Sequence, residues 1–168
     1  APIRAEELRA MVTTLPDNLL GLRDRALLLL GFAGAFRRSE LVGLNVEDVE
    51  TTAEGLRVTL ARSKTDQEGE GAVKGIPYGR NSETCPVRAL QSWLAAASIC
   101  GGPIFRSVNR YGQIQRGRLS DKAVALVVKR SAMAAGLDPN RYSGHSLRAG
   151  LATSAAAAGV QERDIMRQ

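Results

Sequence analysis

His145 and Arg148 have the residue types and the spacing that could bind a phosphodiester. They lie three residues apart at the start of a predicted helix, so their side chains share one face. A helix N-terminus also offers free backbone N–H groups and the positive end of the helix dipole. An imidazole, a guanidinium and these donors together suit phosphate oxygens. The spacing alone is a weak signal, because arginine is frequent in this chain and a lone histidine near a helix start can equally be a cap or a packing residue.

Two patches upstream could complete such a site. Arg37 and Glu40 are also three residues apart, at the end of the most apolar stretch of the chain. We expect Arg37 to be partly buried there and Glu40 to supply the anion that it then needs, although a structural ion pair would show the same pattern. Lys64 lies between the arginine patches, in a polar segment where most lysines are simply solvated. The three patches, taken together and in this order, predict a phosphate-handling active site.

The composition favours one globular domain with an anionic partner. The chain has 168 residues, 44% of them hydrophobic, and a net charge of +6, and this length suffices for a domain with its own core. Its 19 arginines far outnumber its four lysines, and arginine suits bidentate contact with phosphate. The charge therefore suggests nucleic acid as a partner, although a composition bias of the source genome would produce the same excess.

Several classes of protein are disfavoured by the sequence. The longest apolar run near the start, residues 26–36, is too short to span a bilayer, and the charged first residues do not resemble a secretory signal. Cys85 and Cys100 do not make a disulfide framework, and a single histidine does not allow an ordinary structural zinc site. We therefore expect a cytoplasmic protein with no membrane span, no disulfide framework and no ordinary structural zinc site.

Hydrophobic periodicity and turn residues predict a single α+β domain, mainly helical, over residues 1–168. Helices are expected at Ala5–Val12, Leu19–Phe32, Ser39–Leu44, Pro86–Ala97, Leu119–Ala135, His145–Gly159 and Val160–Gln168. A small antiparallel sheet is expected from three strands at Val46–Val49, Leu56–Leu60 and Ala72–Pro77. Lys64 then lies in the polar loop between the last two strands, and the stretch Arg106–Arg118 is predicted to be a basic loop.

The pattern also predicts helix faces and caps. The residues expected to face the core include Leu41, Val42 and Leu44, and in the long helix Ala123, Leu126, Val127 and Met133. Pro86 suits the first position of a helix, and Gly136 suits a helix C-terminus. Ser143 or Gly144 can cap the helix that carries His145.

Several segments, in the same order along the chain, resemble the tyrosine recombinases, or phage integrases. The stretch from Gly34 through Arg37-Arg38-Ser39-Glu40-Leu41 to Asp48-Val49 resembles the first conserved box of that family, and His145-Ser146-Leu147-Arg148 resembles the second. Ser63-Lys64-Thr65-Asp66, followed by Ile76-Pro77, resembles the family's hairpin lysine. Cys85–Leu90 is similar to a stretch between the boxes, and Asp164-Ile165-Met166 to the start of the segment that leads to the last box.

The resemblance implies the helical catalytic core of a DNA breaking-rejoining enzyme for site-specific recombination or integration. In this family a tyrosine attacks a DNA phosphodiester, forms a 3′-phosphotyrosyl bond and releases a 5′-hydroxyl without a cofactor. Arg37 and Arg148 would bind the non-bridging oxygens, where charge develops in the transition state. Lys64 would be the general acid for the departing 5′-oxygen, His145 would help to move a proton or hold the phosphate, and Glu40 would orient Arg37. The implied partner is double-stranded DNA, on which the full-length protein would assemble as a tetramer.

The chain departs from the family pattern in its last box. That box carries a second histidine or a tryptophan and then the nucleophilic tyrosine, both of which we expect C-terminal to Gln168. We also expect the family's N-terminal DNA-clamping domain to lie outside these residues. We expect Tyr78, Tyr111 and Tyr142 to be structural or to contact DNA. This chain by itself is therefore predicted to bind DNA without cleaving it, as part of a nucleoid-associated protein of a bacterium or phage.

Three other functions remain open on the sequence alone. One is a non-catalytic DNA-binding module of the same fold, and another is a type IB topoisomerase-like domain, which relaxes DNA instead of exchanging strands. The third is a helical interaction domain in which the arginines and the histidine are structural.

Overall fold

The computed structural model describes residues 1–60, 72–143 and 145–148. Its α-helices are α1 (Ala5–Thr13), α2 (Leu19–Ala33), α3 (Arg38–Gly43), α4 (Pro86–Ala96) and α5 (Asp121–Ala134), and residues 146–148 are again helical. Its strands are β1 (Val49–Thr51), β2 (Gly55–Thr59), β3 (Val73–Pro77), β4 (Arg106–Val108) and β5 (Ile114–Arg118). The prediction of a mainly helical fold with a small antiparallel sheet is confirmed. The helices expected from residue 149 onwards lie outside the described residues.

Helix α2 lies at the centre of the core. Asn18 caps its N-terminus, where the side chain accepts a 2.9 Å hydrogen bond from the N–H of Gly21. The four consecutive leucines Leu27–Leu30 are all buried, so this part of the helix must be covered on every side. Of the described helices, α4 packs against it most extensively. Trp93 of α4 is fully buried, and its indole N–H donates to the carbonyl oxygen of Ile104 at 2.9 Å. Among the described residues, no helix has the length and apolarity needed to cross a bilayer.

The three-stranded sheet forms in the predicted order, with β2 between β1 and β3 and both pairs antiparallel. The first strand is shifted from its predicted position, because Val46–Asp48 is a 3₁₀ helix and the strand begins only at Val49. The backbone N–H of Asn45 donates to the carboxylate of Asp48 at 2.9 Å. This local bond favours a turn over ladder pairing, so the prediction of a strand over Val46–Asp48 was wrong.

The stretch Arg106–Arg118 is a second, two-stranded sheet and not the predicted loop, since β4 and β5 pair as an antiparallel hairpin. Asn109 closes the turn: its side-chain oxygen accepts from the N–H of Tyr111 at 2.9 Å and from that of Gln113 at 3.0 Å. Gly112 adopts the positive φ (78°) that such a turn needs. Strand pairing here depends on a turn that hydrophobic periodicity does not report.

Helix α5 buries a different face from the predicted one. Val127 is buried as expected, but Leu126 and Met133 are each 64% exposed. The buried stripe runs along Val124, Val127, Val128 and Ser131. At about 100° of rotation per residue, Leu126 and Met133 lie on the opposite side of the helix. The predicted C-cap is confirmed, because Gly136 has φ 78° and the N–H of Leu137 donates to the carbonyl of Ala132 at 2.9 Å.

Candidate functional site

Arg37 stands at the turn between α2 and α3. Phe36 is buried in the core just before it, and Arg37 is the N-cap residue of α3, with its side chain exposed. Glu40 reaches back, and its Oε1 accepts a 2.8 Å hydrogen bond from the backbone N–H of Arg37, in the manner of a helix-capping glutamate. The expectation of a partly buried Arg37 paired with Glu40 is therefore corrected. Glu40 fixes the backbone of Arg37 and leaves the guanidinium exposed.

The segment before His145 is tied to three other parts of the fold. Tyr142 is buried, and its hydroxyl donates to the carboxylate of Glu7 on α1. The ammonium of Lys129 on α5 donates to the carbonyl oxygens of Pro139 at 3.1 Å and Tyr142 at 2.8 Å. Near the N-terminus, the N–H of Ile3 donates to the carbonyl of Ser146 at 3.1 Å. These bonds hold the backbone on both sides of His145.

Ser143 begins the helical turn that carries His145 and Arg148, as one of the two predicted caps. Its hydroxyl accepts from the N–H of His145 at 3.3 Å, and its own N–H donates to the hydroxyl of Ser146 at 2.9 Å. Ser146 and Leu147 are buried, whereas His145 and Arg148 are exposed. The turn thus presents the imidazole and the guanidinium to solvent while its other two side chains anchor it.

Packing on α2 shows that the two arginine patches lie near each other. Leu147, directly before Arg148, and Leu41 of α3 both approach Gly31. Lys74 on β3 is half-buried, and its pKa is lowered, first by burial and then by repulsion from Arg148 and Arg37, against the opposing attraction of Glu40. The ammonium of Lys74 also donates to the carbonyl oxygens of Gly34 and Ala35, just before Arg37. The turn that carries Arg148 and the helix that Arg37 caps are therefore neighbours in the fold.

Lys64 falls in residues 61–71, outside the described residues, but the chain on either side of it is placed. The N–H of Leu60 donates to the carbonyl of Ala72 at 2.7 Å, so the residues on either side of this segment lie next to each other. Leu60 also lines a groove of about 210 Å³ together with Arg37 and Glu40. Leu60, the last described residue before that segment, thus lies beside Arg37.

Lys74 is the residue of this cluster that the sequence reasoning missed. The sequence did indicate that Lys74 faces inward. Alternate residues of a strand share a face, and Lys74 lies two residues before the buried Ile76. A lysine on the inward face of a strand needs partners for its ammonium.

No group of three or more histidine, cysteine or acidic side chains suited to a metal occurs among the described residues, and Cys85 and Cys100 are both free thiols.

A helical domain with a small antiparallel sheet carries two exposed arginines on neighbouring segments and a half-buried lysine that bonds to the turn before Arg37. An exposed histidine lies three residues before Arg148. The chain belongs to the phage integrase family, whose family model matches residues 2–168. It is 51% identical over 152 residues to an integrase/recombinase xerD homolog of Selenomonas ruminantium, covering 90% of this chain and 45% of that protein. It is 31% identical over 156 residues to the tyrosine recombinase XerC of Syntrophus aciditrophicus, covering 89% and 46%.

Solved structures show the same fold. The XerH site-specific recombinase bound to difH substrate, in a pre-cleavage complex, matches with a TM-score of 0.69 at 16% identity, over 98% of this chain and 44% of that one. The XerA recombinase matches with a TM-score of 0.69 at 18% identity, over 99% and 53%. The chain spans about half the length of the curated relatives it matches.

Proposed function

We propose that residues 1–168 form the catalytic domain of a tyrosine recombinase that performs site-specific DNA recombination or integration. The observation that carries the proposal is the convergence of Arg37 and Arg148. These residues are distant in sequence, yet both are exposed. Their neighbours pack together, because Leu147 and Leu41 both approach Gly31. Two guanidiniums at one surface match the paired non-bridging oxygens of a phosphodiester. Membership of the phage integrase family supports the same reading.

The proposed reaction follows from what these groups can do. A tyrosine hydroxyl loses its proton and attacks phosphorus, and the bond to the 5′-oxygen breaks with its electron pair staying on that oxygen. Arg37 and Arg148 stabilise the charge that develops on the non-bridging oxygens. Lys64 donates the proton that completes the 5′-hydroxyl. His145 helps to take up the proton that the tyrosine loses, or holds the phosphate. The phosphotyrosyl ester conserves the bond energy for rejoining, so no cofactor is required.

The placement of the tyrosines supports the further proposal that these 168 residues bind DNA without cleaving it. Tyr142 is buried and donates to Glu7. Tyr111 lies at the turn of the β4–β5 hairpin, with the guanidinium of Arg110 4.9 Å from its ring centroid. Tyr78 follows β3, with the guanidinium of Arg88 6.0 Å from its ring centroid. We propose that the nucleophile comes from outside these residues and that the full-length protein assembles as a tetramer on double-stranded DNA.

The test is a covalent-adduct assay with the protein expressed from its complete reading frame. A nicked duplex that carries its target site traps the 3′-phosphotyrosyl product, which is resolved on a denaturing gel. Arg37→Ala and Arg148→Ala should each slow adduct formation about 100-fold or more, and Lys64→Ala should slow it as well. Arg9→Ala, which removes the same charge from an exposed position on α1, is the matched control.

Two outcomes contradict the proposal. Tight DNA binding by the unaltered protein with no adduct would identify a non-catalytic DNA-binding module. An adduct that forms equally fast in both arginine variants would show that this surface is not the active site.

A further inference from the structure

We propose that Lys74 is a positioning residue that connects β3 to the turn presenting Arg37 and so sets Arg37 for the phosphate. This inference rests on the proposed function and assigns a role to a lysine distinct from the proposed general acid, Lys64.

The contacts of Lys74 converge on the three residues immediately before Arg37. Its Nζ donates to the carbonyl oxygen of Gly34 at 2.8 Å and to that of Ala35 at 3.3 Å. The same atom lies 4.8 Å from the centroid of the Phe36 ring, within the range of a cation–π contact. One ammonium therefore contacts every residue between the last turn of α2 and Arg37.

The turn that Lys74 contacts needs such support. Ala35 has φ 50°, in the left-handed region that residues other than glycine rarely adopt. Such a conformation persists only where its surroundings determine it. Two hydrogen bonds from a charged donor to the carbonyls of Gly34 and Ala35 supply that determination, since hydrogen bonds from charged groups are stronger than neutral ones.

The position of Lys74 on β3 explains how its contact with the Arg37 turn connects two parts of the proposed active site. Lys74 pairs with Val58 of β2, and β2 and β3 flank the segment that contains Lys64. The side chain therefore joins the strand pair that carries the proposed general acid to the turn that carries Arg37.

Lys74 acts through Arg37 and not on the reacting atoms. Its ammonium is directed at main-chain carbonyls, and it is half-buried, whereas Arg37 is exposed. The charged groups that face it are Glu40, Arg148 and Arg37. Of these, Glu40 favours the ammonium form of Lys74. Glu40 also accepts a hydrogen bond from the Arg37 backbone N–H, so Glu40 and Lys74 act on the same turn.

The test compares Lys74→Met with Lys74→Arg in the protein from the complete reading frame, with Lys122→Met, an exposed lysine on α5, as the control. At saturating DNA, Lys74→Met should slow adduct formation by about 10- to 100-fold, as expected for a displaced catalytic group, with DNA affinity unchanged. Lys74→Arg, which keeps a charged donor, should recover most of the rate. In the Lys74→Met/Arg37→Ala double variant, the loss should be no greater than with Arg37→Ala alone.

The same experiment separates the possible failures. Additive losses in the double variant, or a wild-type rate for Lys74→Met, would overturn the positioning role while leaving the proposed function in place. If the unaltered protein forms no adduct, the proposed function fails. Amide hydrogen exchange at residues 35–37 of Lys74→Met then tests whether Lys74 holds the Arg37 turn. Exchange faster than in Lys122→Met supports this role, and equal exchange overturns it.

Discussion

Leu147 packs against the backbone of Gly31 in the last turn of α2. A Cβ atom placed on Gly31 would lie 3.0 Å from the Cδ1 of Leu147 and 3.2 Å from the Cδ2 of Leu41, closer than side chains normally approach. The absence of a side chain at Gly31 thus lets the turn 146–148 approach the central helix. Arg148 follows Leu147 directly. The packing of Leu147 in the core therefore fixes the point at which the Arg148 side chain leaves the backbone.

Truncating Leu147 should therefore cost both stability and activity. Leu147 is 1% exposed, and Leu147→Ala should lower the free energy of unfolding by about 2–5 kcal/mol, as measured by urea denaturation. It should also slow adduct formation, because Arg148 loses its anchor. Leu126→Ala, at a 64% exposed leucine, should change stability by less than about 0.5 kcal/mol. Equal costs at the two leucines would contradict the packing described.

A buried ion pair in α2 predicts a second large effect on stability. Asp24 is 1% exposed, and its carboxylate accepts a 2.9 Å bond from Arg23 and a further bond from Arg130 of α5. Asp24→Asn leaves Arg23 buried without its anion and should cost about 3–5 kcal/mol. Asp121→Asn, which breaks the half-exposed 3.8 Å pair with Arg38, should cost at most about 1 kcal/mol. Thermal or urea unfolding measures both, and a mild effect at Asp24 would rule the pair out as a major stabilising contact.

The hydrogen bond between Tyr142 and Glu7 predicts a specific dependence of stability on pH. Burial raises the pKa of Glu7, but hydrogen bonds from the Tyr142 hydroxyl and from Arg4 outweigh it, so the pKa is lowered overall. The stabilisation is therefore present above the unfolded value of about 4.3 and is lost as the pH falls through the lower folded pKa. Glu7→Gln should flatten the fall in urea midpoint below that pH. Glu6→Gln, at a largely exposed carboxylate, should leave the fall intact, and identical curves for the two variants would refute the assignment.

Two arginines of β5 should separate DNA contact from structural support. The guanidinium of Arg118 donates to the carbonyls of Val42 at 2.7 Å and Leu44 at 3.3 Å, so Arg118→Ala should cost about 1–3 kcal/mol of stability. Arg116 is exposed on the same strand. Arg116→Ala should leave stability unchanged and weaken DNA binding, with the salt dependence of affinity reduced by about one unit of slope. Fluorescence anisotropy at several salt concentrations measures this, and an unchanged slope would place Arg116 away from DNA.

The errors in the sequence-based description concern features that hydrophobic periodicity does not report. The hairpin of Arg106–Arg118 was missed because its strands are short and polar, and because its turn depends on Asn109 bonding to backbone two and four residues away. The exposure of Leu126 was missed because periodicity allows more than one apolar stripe on α5. Which stripe is buried depends on the helix that packs there.

The sequence by itself determined the local elements and their order. Helix caps such as Asn18 and Ser143, the glycine at the end of α5 and the alternation in β2 act over a few residues, so they can be identified without knowing the rest of the fold. The family boxes likewise identified Arg37 and Arg148 as candidates. Tertiary structure alone decided that the segments carrying these arginines pack together at Gly31, that Glu40 bonds to backbone, and that Lys74 joins β3 to the Arg37 turn. Those contacts join residues far apart in the chain, and core packing, not local propensity, creates them.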